Sequence, residues 1–362
     1  MTSRSRVLVC SFRDLRHPAA GGAEVYTAEV LSRWADEGHE VVLFSAGVPG
    51  ADVVEARDGY TVVRGGNRAT LYRAARRFHA TEKPFDLLID QVNTRPFFCN
   101  EWIRPGERSA ALIHQVAREV WRCQTSLATA MLGRYWLEPR WLRRIRHVPT
   151  VAISESTADS LRLYGLQRVL TCTRPTVPLT GSTQTEHNDD PKIVFVGRLV
   201  GNKRPDHAVE AFERVRRRLP RATMTIIGSG PLENRLRGLA GTGVELLGRT
   251  SSAERDAHVE SADVLIVTST REGWGLVVDE AAALGTPVFG YDTPGLRDSI
   301  GATSGILVEP RPEALAKALI EHLEGPRAEG TECRLGQDWD TLADRLWEMV
   351  NEIAEPRFGP IR

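Results

Sequence analysis

No stretch of this chain approaches the ~20 consecutive apolar residues that a membrane-spanning helix requires, and the amino terminus carries no charged-then-apolar leader pattern. A cytoplasmic protein is the expectation. Cysteine is sparse: positions 10, 99, 123, 172 and 333, odd in number and without metal-type spacing, read as reduced thiols rather than a disulfide framework or a zinc site. Neither sign of charge is in excess. The 47 basic residues balance 47 acidic ones, which argues against nucleic acid as the main partner, since such proteins carry a basic surplus. Several catalytic signatures are missing too: no G-x-x-x-x-G-K-[ST] phosphate loop, no G-x-S-x-G elbow and no H-E-x-x-H zinc helix. Gly228-Ser-Gly230 ends a strand pattern, but Glu233 stands where the dinucleotide fingerprint needs its third glycine, which counts against a nicotinamide enzyme. No D-x-D pair lies in a polar loop after a strand, so neither a divalent metal nor a cofactor is expected.

What is present is regular. With 362 residues, 26% charged and 41% apolar, the chain is too long for one ordinary core and suits two domains. Strand and helix patterns alternate throughout, the mark of α/β architecture with parallel sheets. In the first half, strands are expected at 6–12, 40–45, 60–64, 86–91, 110–114 and 150–153, with helices at 22–37, 70–81 and 155–164, the last capped by Ser154. Residues 180–190 (TGSTQTEHNDD) are polar and featureless, a linker by composition. The pattern then restarts with strands at 192–197, 223–228, 244–247, 263–268, 286–290 and 305–308, a helix at 205–219 and a long amphipathic helix at 338–354. The expected division is a first domain over 1–180, a linker over 181–191, a second domain over 192–337 and a terminal helix within 338–362. Two doubly wound domains so joined would leave a cleft for ligands.

The chemistry concentrates in Glu272-Gly-Trp-Gly-Leu-Val-Val-Asp-Glu280. Glu272 falls at the carboxyl end of a buried strand, where open parallel sheets bind ligands. Glu280 lies inside the next helix, and Gly273 and Gly275 let backbone approach a ligand at a helix terminus rich in free N–H groups. That is an anion cradle flanked by two hydrogen-bond acceptors, suited to a phosphorylated polyol such as a nucleotide-sugar. Gly197-Arg198-Leu-Val-Gly-Asn-Lys203 places two cations five apart after another strand of the same expected sheet, able to clamp a diphosphate. Gly21-Gly22-Ala-Glu24 opens the first helix, either as a close-approach site or as a simple turn whose Glu24 favours the helix dipole. His114 ends a strand of the first half.

These elements together, with Gly248-Arg-Thr250 and the Ala281-Ala-Ala-Leu-Gly-Thr-Pro287 run after Glu280, resemble the retaining GT-B glycosyltransferases of the large family GT4. The resemblance covers nearly the whole chain and is strongest over 192–310. It implies a GT-B fold of two Rossmann-like domains and transfer of a sugar from a nucleoside-diphosphate donor, without metal. It implies that Arg198 and Lys203 bind the donor diphosphate, that Glu272 holds hydroxyls of the donor sugar, and that backbone from Gly273 through Trp274 and Gly275 to Leu276 faces sugar and phosphate. Glu280 would bind the ribose, Arg249 and Thr250 the base, Gly22 the phosphates and His114 the transferred sugar. The terminal helix would cross back to the first domain. Leu170-Thr-Cys-Thr-Arg174-Pro departs from the family's usual turn at the hinge.

The acceptor is the least specified partner. Loops 93–101 and 118–147 are its expected seat, and a hydroxyl-bearing small molecule or natural product is favoured over a lipid-linked or cell-envelope glycan. Arginines 134, 140, 143, 144 and 146, with Arg122 nearby, interleave with Leu137, Leu142, Ile145, Trp136 and Trp141. They read as a solvated amphipathic face, with membrane contact the secondary reading. UDP is favoured over GDP as the donor's nucleotide. A sugar-nucleotide epimerase or a non-catalytic nucleotide-sugar-binding protein on the same fold are the alternatives outside transfer.

Overall fold

The computed structural model describes residues 4–173, 176–179, 190–303, 305–325 and 334–354. Most of the expected linker, and Arg174 with Pro175, lie outside the described residues. The chain forms two compact units, each built on a twisted, mainly parallel sheet.

The first unit comprises residues 1–118, 132–175 and 338–362. Its strands are β1 (Arg6–Cys10), β2 (Glu40–Ser45), β3 (Val54–Arg57), β4 (Tyr60–Arg64), β5 (Leu87–Val92), β6 (Arg108–Ile113), β7 (Thr150–Ala152) and β8 (Val169–Thr171). They lie in the order β3-β4-β2-β1-β5-β6-β7-β8, parallel except for the β3–β4 pair. Near-continuous apolar runs in β1, β2 and β5 make them buried on both faces, as helices on either side of a parallel sheet demand. The antiparallel edge β3 reads Val-Glu-Ala-Arg, half exposed and alternating, too polar and short to announce itself as a strand. The helix Trp339–Ala354 packs in this unit against the helix Gly22–Asp36. Trp34 meets Trp347 edge-on at 5.2 Å and donates its indole N–H to the Ala343 carbonyl at 3.0 Å, while His39 stacks on Trp347 at 4.0 Å.

The second unit comprises 119–131 and 176–337. Its sheet holds β10 (Lys192–Val196), β11 (Thr223–Ile227), β12 (Val244–Gly248), β13 (Val264–Val267), β14 (Val288–Tyr291) and β15 (Ile306–Val308), in the order β12-β11-β10-β13-β14-β15, all parallel. A small antiparallel ladder joins β9 (Thr176–Leu179) to β16 (Arg334–Gln337). The strand order reverses between β10 and β13, the switch point at which doubly wound sheets open a crevice. Phe195, Phe212, Met224, Ile226, Phe289 and Leu315 fill one face of this sheet, and Val194, Leu265, Val278, Leu296 and Ile300 the other.

Residues 119–131 depart from a division at residue 180. The short helix Val120–Gln124 sits on the turn after β10: Gln124 donates to the Asn202 side chain at 2.7 Å, and Glu119 pairs with Arg271 at 2.7 Å. Gly201 admits this packing because a Cβ there would lie 2.4 Å from the Cys123 carbonyl oxygen.

Candidate functional site

Hydrogen bonds between neighbouring loops build the site in the second unit. After β10 the chain turns through Gly201–Lys203 into Arg204, whose φ of +47° is left-handed, and enters the helix Pro205–Arg218. The turn is pinned from β13's side: the Thr268 hydroxyl donates to the carbonyls of Lys203 and Arg204, each at 2.8 Å, and the Thr270 N–H donates to the Asn202 carbonyl at 2.8 Å. Lys203 Nζ is thereby delivered to the Glu272 carboxylate, with which it forms an ion pair. Ser269 donates its hydroxyl to the same Glu272 Oε1 at 2.5 Å. Lys203 and Glu272, 69 residues apart, therefore meet across the switch point.

The loop after β13 is braced from the far side as well. Glu272 N–H donates to the Pro294 carbonyl at 3.0 Å, and the Thr293 hydroxyl to the Ser269 carbonyl at 2.9 Å. Gly295 is indispensable there: its φ is +85°, and a Cβ would lie 2.2 Å from the Glu272 carbonyl oxygen. Beyond Glu272 the chain passes Gly273, Trp274 and Gly275, the last at φ +93°, into the helix Leu276–Ala283. Among the described residues, the N–H groups of Trp274, Gly275 and Leu276 make no backbone hydrogen bond. They remain the orphan donors of a helix start. Glu280 is half-buried in that helix with Arg255 Nη1 3.7 Å from its carboxylate.

Arg198 is half-buried on the loop after β10. The loops after β10, β11 and β12 lean on one another through backbone: Gly197 N–H donates to the Ile227 carbonyl, Leu199 N–H to Ser229, and Gly228 N–H to Gly248. Arg249 donates to the Ser229 hydroxyl at 3.0 Å, and Thr250 is half-buried beside it in sequence. Strand ends from β12 to β13 thus present Arg249, Arg198, Lys203 and Glu272 along one edge of one sheet.

The first unit treats its candidates differently. Gly22 begins the helix Gly22–Asp36. Glu24 is buried, accepts the Gly21 N–H at 2.7 Å and pairs with Arg13 at 2.8 Å, so its carboxylate serves the helix entry. His114 follows β6 and is 6% exposed. The Gln91 amide nitrogen lies 3.0 Å from its Nε2 and can only donate, which leaves the proton of a neutral ring on Nδ1. Burial pushes its pKa down to about 4, so the ring is neutral at pH 7. Tyr26 packs edge-on against it at 5.0 Å. Elsewhere in this unit a shallow groove of about 480 Å³ is lined by Phe44, Gly65, Gly66, Arg73 and Arg77.

Two family profiles match in tandem: Glycosyltransferase Family 4 over residues 20–176 and Glycosyl transferases group 1 over 182–336. The chain belongs to this glycosyltransferase family. Among glycosyltransferases it is similar to glycogen synthase of Mycobacterium tuberculosis, 33% identical over 42% of this chain and 40% of the relative. It is also similar to a GDP-mannose-dependent phosphatidylinositol monomannoside mannosyltransferase of the same organism, 33% identical over 44% and 47%. A 2-deoxystreptamine glucosyltransferase of Streptomyces kanamyceticus is 28% identical over 66% of this chain and 65% of its own length. The chain thus spans between two fifths and two thirds of these curated relatives. Among solved structures, sucrose-phosphate synthase from Thermosynechococcus elongatus superposes with a TM-score of 0.68 at 20% identity, over 97% of this chain and 95% of that one. Anabaena Alr3699/HepE in complex with UDP and glucose gives 0.66 at 14% identity, over 97% and 98%. These likenesses show the fold, the two parallel-sheet domains of GT-B glycosyltransferases.

Sequence reasoning missed the bracing residues Thr268, Ser269, Arg271, Thr293 and Gly295. Only the Pro294-Gly295 dipeptide gave a turn signal. The rest are ordinary polar residues whose function lies in what they touch.

Proposed function

We propose that the protein transfers a sugar from a nucleoside-diphosphate sugar to a hydroxyl group, with retention of anomeric configuration. The observation that carries this reading is the meeting of Lys203 and Glu272 at the switch point, beside the open N–H groups of Trp274, Gly275 and Leu276. Lys203 and Arg198 supply fixed positive charge for a departing diphosphate, and the helix start adds oriented N–H dipoles. Glu272 accepts hydrogen bonds from the donor sugar, Glu280 from the ribose, and the loop of Arg249 and Thr250 receives the base. The bond from the anomeric carbon to the diphosphate breaks, the acceptor oxygen bonds to that carbon on the same face, and its proton passes to a leaving phosphate oxygen. Arg198 and Lys203 take the role a metal would otherwise fill, so neither metal nor cofactor enters the reaction. Neutral His114 offers an Nδ1–H to the transferred sugar.

UDP is the favoured nucleotide, supported by the likeness to a fold seen with UDP and glucose; GDP is the alternative, supported by the similarity to a GDP-mannose-dependent relative. A small hydroxyl compound is the favoured acceptor, in keeping with the similarity to a 2-deoxystreptamine glucosyltransferase. A lipid-borne acceptor has one observation in its favour. In the first unit Leu132, Tyr135 and Trp136 are 51%, 57% and 59% exposed, with Arg140 5.6 Å from the Trp136 ring and Arg143 also exposed. Aromatic and aliphatic side chains beside arginine suit an anionic lipid surface.

The test is thermal unfolding with UDP, GDP, ADP or dTDP, each with and without EDTA. Stabilisation by UDP that EDTA leaves unchanged is the expected result; no shift with any of the four contradicts the donor site. Co-sedimentation with anionic vesicles that Trp136→Ser abolishes would move the acceptor to the lipid reading.

A further inference from the structure

The motif that carries the anion cradle contains a buried carboxylate that donor chemistry does not use. Asp279 is 1% exposed and Trp274 4% exposed. The Trp274 indole Nε1–H donates to Asp279 Oδ2 at 2.8 Å. Five positions separate the two residues, and between them lie Gly275, at φ +93°, and the start of the helix Leu276–Ala283. The indole therefore reaches forward over the turn and fastens it to the first helical turn, where a carboxylate is favoured by the free N–H groups. Its other anchors lie at its two ends, the Glu272 N–H on the Pro294 carbonyl at 3.0 Å and the Val278 N–H on the Gly275 carbonyl at 2.8 Å. Gly273 and Gly275 contribute no side chain, and glycine backbone is the loosest in the chain. The bond lies between buried groups, where an indole N–H needs a partner.

We propose that Asp279 is a positioning residue of the donor site, acting through the Trp274 indole to aim the N–H groups of Trp274, Gly275 and Leu276. The proposal rests on the donor reading given above for the purpose of those N–H groups, but not for the existence of the Trp274–Asp279 clamp. Neither side chain touches the donor. Both act by holding backbone donors in the direction in which a diphosphate meets them. The diphosphate is already charged in the bound donor, so donors aimed at it contribute to binding as well as to the transition state, and mis-aiming them raises donor KM.

Four variants test this: Trp274→Phe, Asp279→Leu, Asp279→Asn and the double variant Trp274→Phe/Asp279→Leu. Two readouts are taken, hydrogen exchange of the amides at 273–277 and the donor KM against kcat. Trp274→Phe and Asp279→Leu are expected to speed exchange at those amides and to raise donor KM about tenfold, with kcat changed less. Asp279→Asn keeps an acceptor oxygen for the indole and recovers most of that loss. The double variant is no worse than the poorer single one, because both break the same bond. Equal impairment by Asp279→Asn and Asp279→Leu, additive effects in the double variant, or exchange at 273–277 unchanged by Trp274→Phe would each overturn the proposal. If Asp279→Leu does not fold, Trp274→Phe against Asp279→Asn decides alone. If the unaltered protein binds no nucleoside diphosphate, the donor reading fails, and the exchange comparison still judges the clamp.

Discussion

The two units share an architecture and differ in how their candidate residues are employed. In the second unit the strand-end residues confront one another: Lys203 and Glu272 pair at neighbouring strand ends, and Arg249 hydrogen-bonds a strand-end serine. In the first unit the candidate residues have partners from their own unit. Glu24 is occupied by Arg13 and the Gly21 N–H, and His114 is held at its Nε2 by Gln91 and packed edge-on by Tyr26, its Nδ1–H being the group proposed to face the sugar. The difference teaches that position at a strand end is not enough. Both acids are buried, but Glu272 is shared between a cation and a hydroxyl from neighbouring strand ends, contacts that a ligand can exchange, whereas Glu24 closes the entry of its own helix and is committed to the fold.

That contrast can be broken most sharply at Lys203 and Glu272. Replacing either by alanine should lower release of nucleoside diphosphate from the donor by about a thousandfold, as losing a preorganised charge does, with the fold retained. Lys203→Ala also lowers the unfolding temperature, because it takes the ion-pair partner from the buried Glu272 carboxylate. Turnover near that of the unaltered protein would remove the site assignment. In the first unit the same kind of substitution should act on stability instead. Glu24→Ala leaves Arg13 and the Gly21 N–H unpaired and should cost about 2 kcal/mol by denaturant titration; an activity loss without a stability loss would show that Glu24 belongs to a ligand.

A smaller set of effects sharpens the comparison within the scaffold. Gly228→Ala puts a Cβ 1.9 Å from the Gly197 carbonyl oxygen at φ +139°, and should destabilise the second unit by at least ~2 kcal/mol. Gly238→Ala, inside the helix Glu233–Leu239 with nothing within 4 Å of the added Cβ, should stabilise it by up to ~1 kcal/mol. Equal effects would show that the backbone contact between the loops after β10 and β11 is not tight.

The smallest effect is in pH dependence. His114 is held at about 4, below its ordinary 6.5, by burial. Below pH 6.5 the unfolded chain takes up a proton that the folded chain refuses until about pH 4. Stability therefore falls as pH drops through that window and the loss is complete near pH 4. Asp90, pushed up to about 6 by burial, acts in the opposite sense: it favours the folded state at low pH, and that favour is lost as pH rises from about 4 through 6. The difference between the unaltered protein and His114→Gln isolates the histidine. The variant should lose less stability between pH 6.5 and 4; an unchanged slope would contradict the neutral, buried ring.

Much of this was legible in the sequence, for a physical reason. Parallel strands buried on both faces spell continuous apolar runs, so β1, β2, β5, β10, β11 and β13 lie within a residue or two of their expected positions. The expected Ser154 cap is present, its side chain accepting the Thr157 N–H at 3.2 Å. Edge elements were not legible. β3 is polar and short, β8 has three residues, and the β9–β16 ladder pairs segments more than 150 positions apart. In the proposed donor site, the charges at 198, 203, 272 and 280 stood out by their spacing relative to strands. The residues that aim them did not, because Thr268, Thr293 and Asp279 act through bonds to distant or buried partners. Nor did spacing reveal that residues 119–131 pack with the second unit, which depends on Gly201 leaving room for a carbonyl.

The most direct test of the central claim is calorimetric titration of UDP into the unaltered protein, Lys203→Ala and His114→Ala. The account predicts a weakening of at least tenfold in Lys203→Ala and little change in His114→Ala, because the diphosphate is held by the second unit. Unchanged affinity in Lys203→Ala, or a loss confined to His114→Ala, would contradict it.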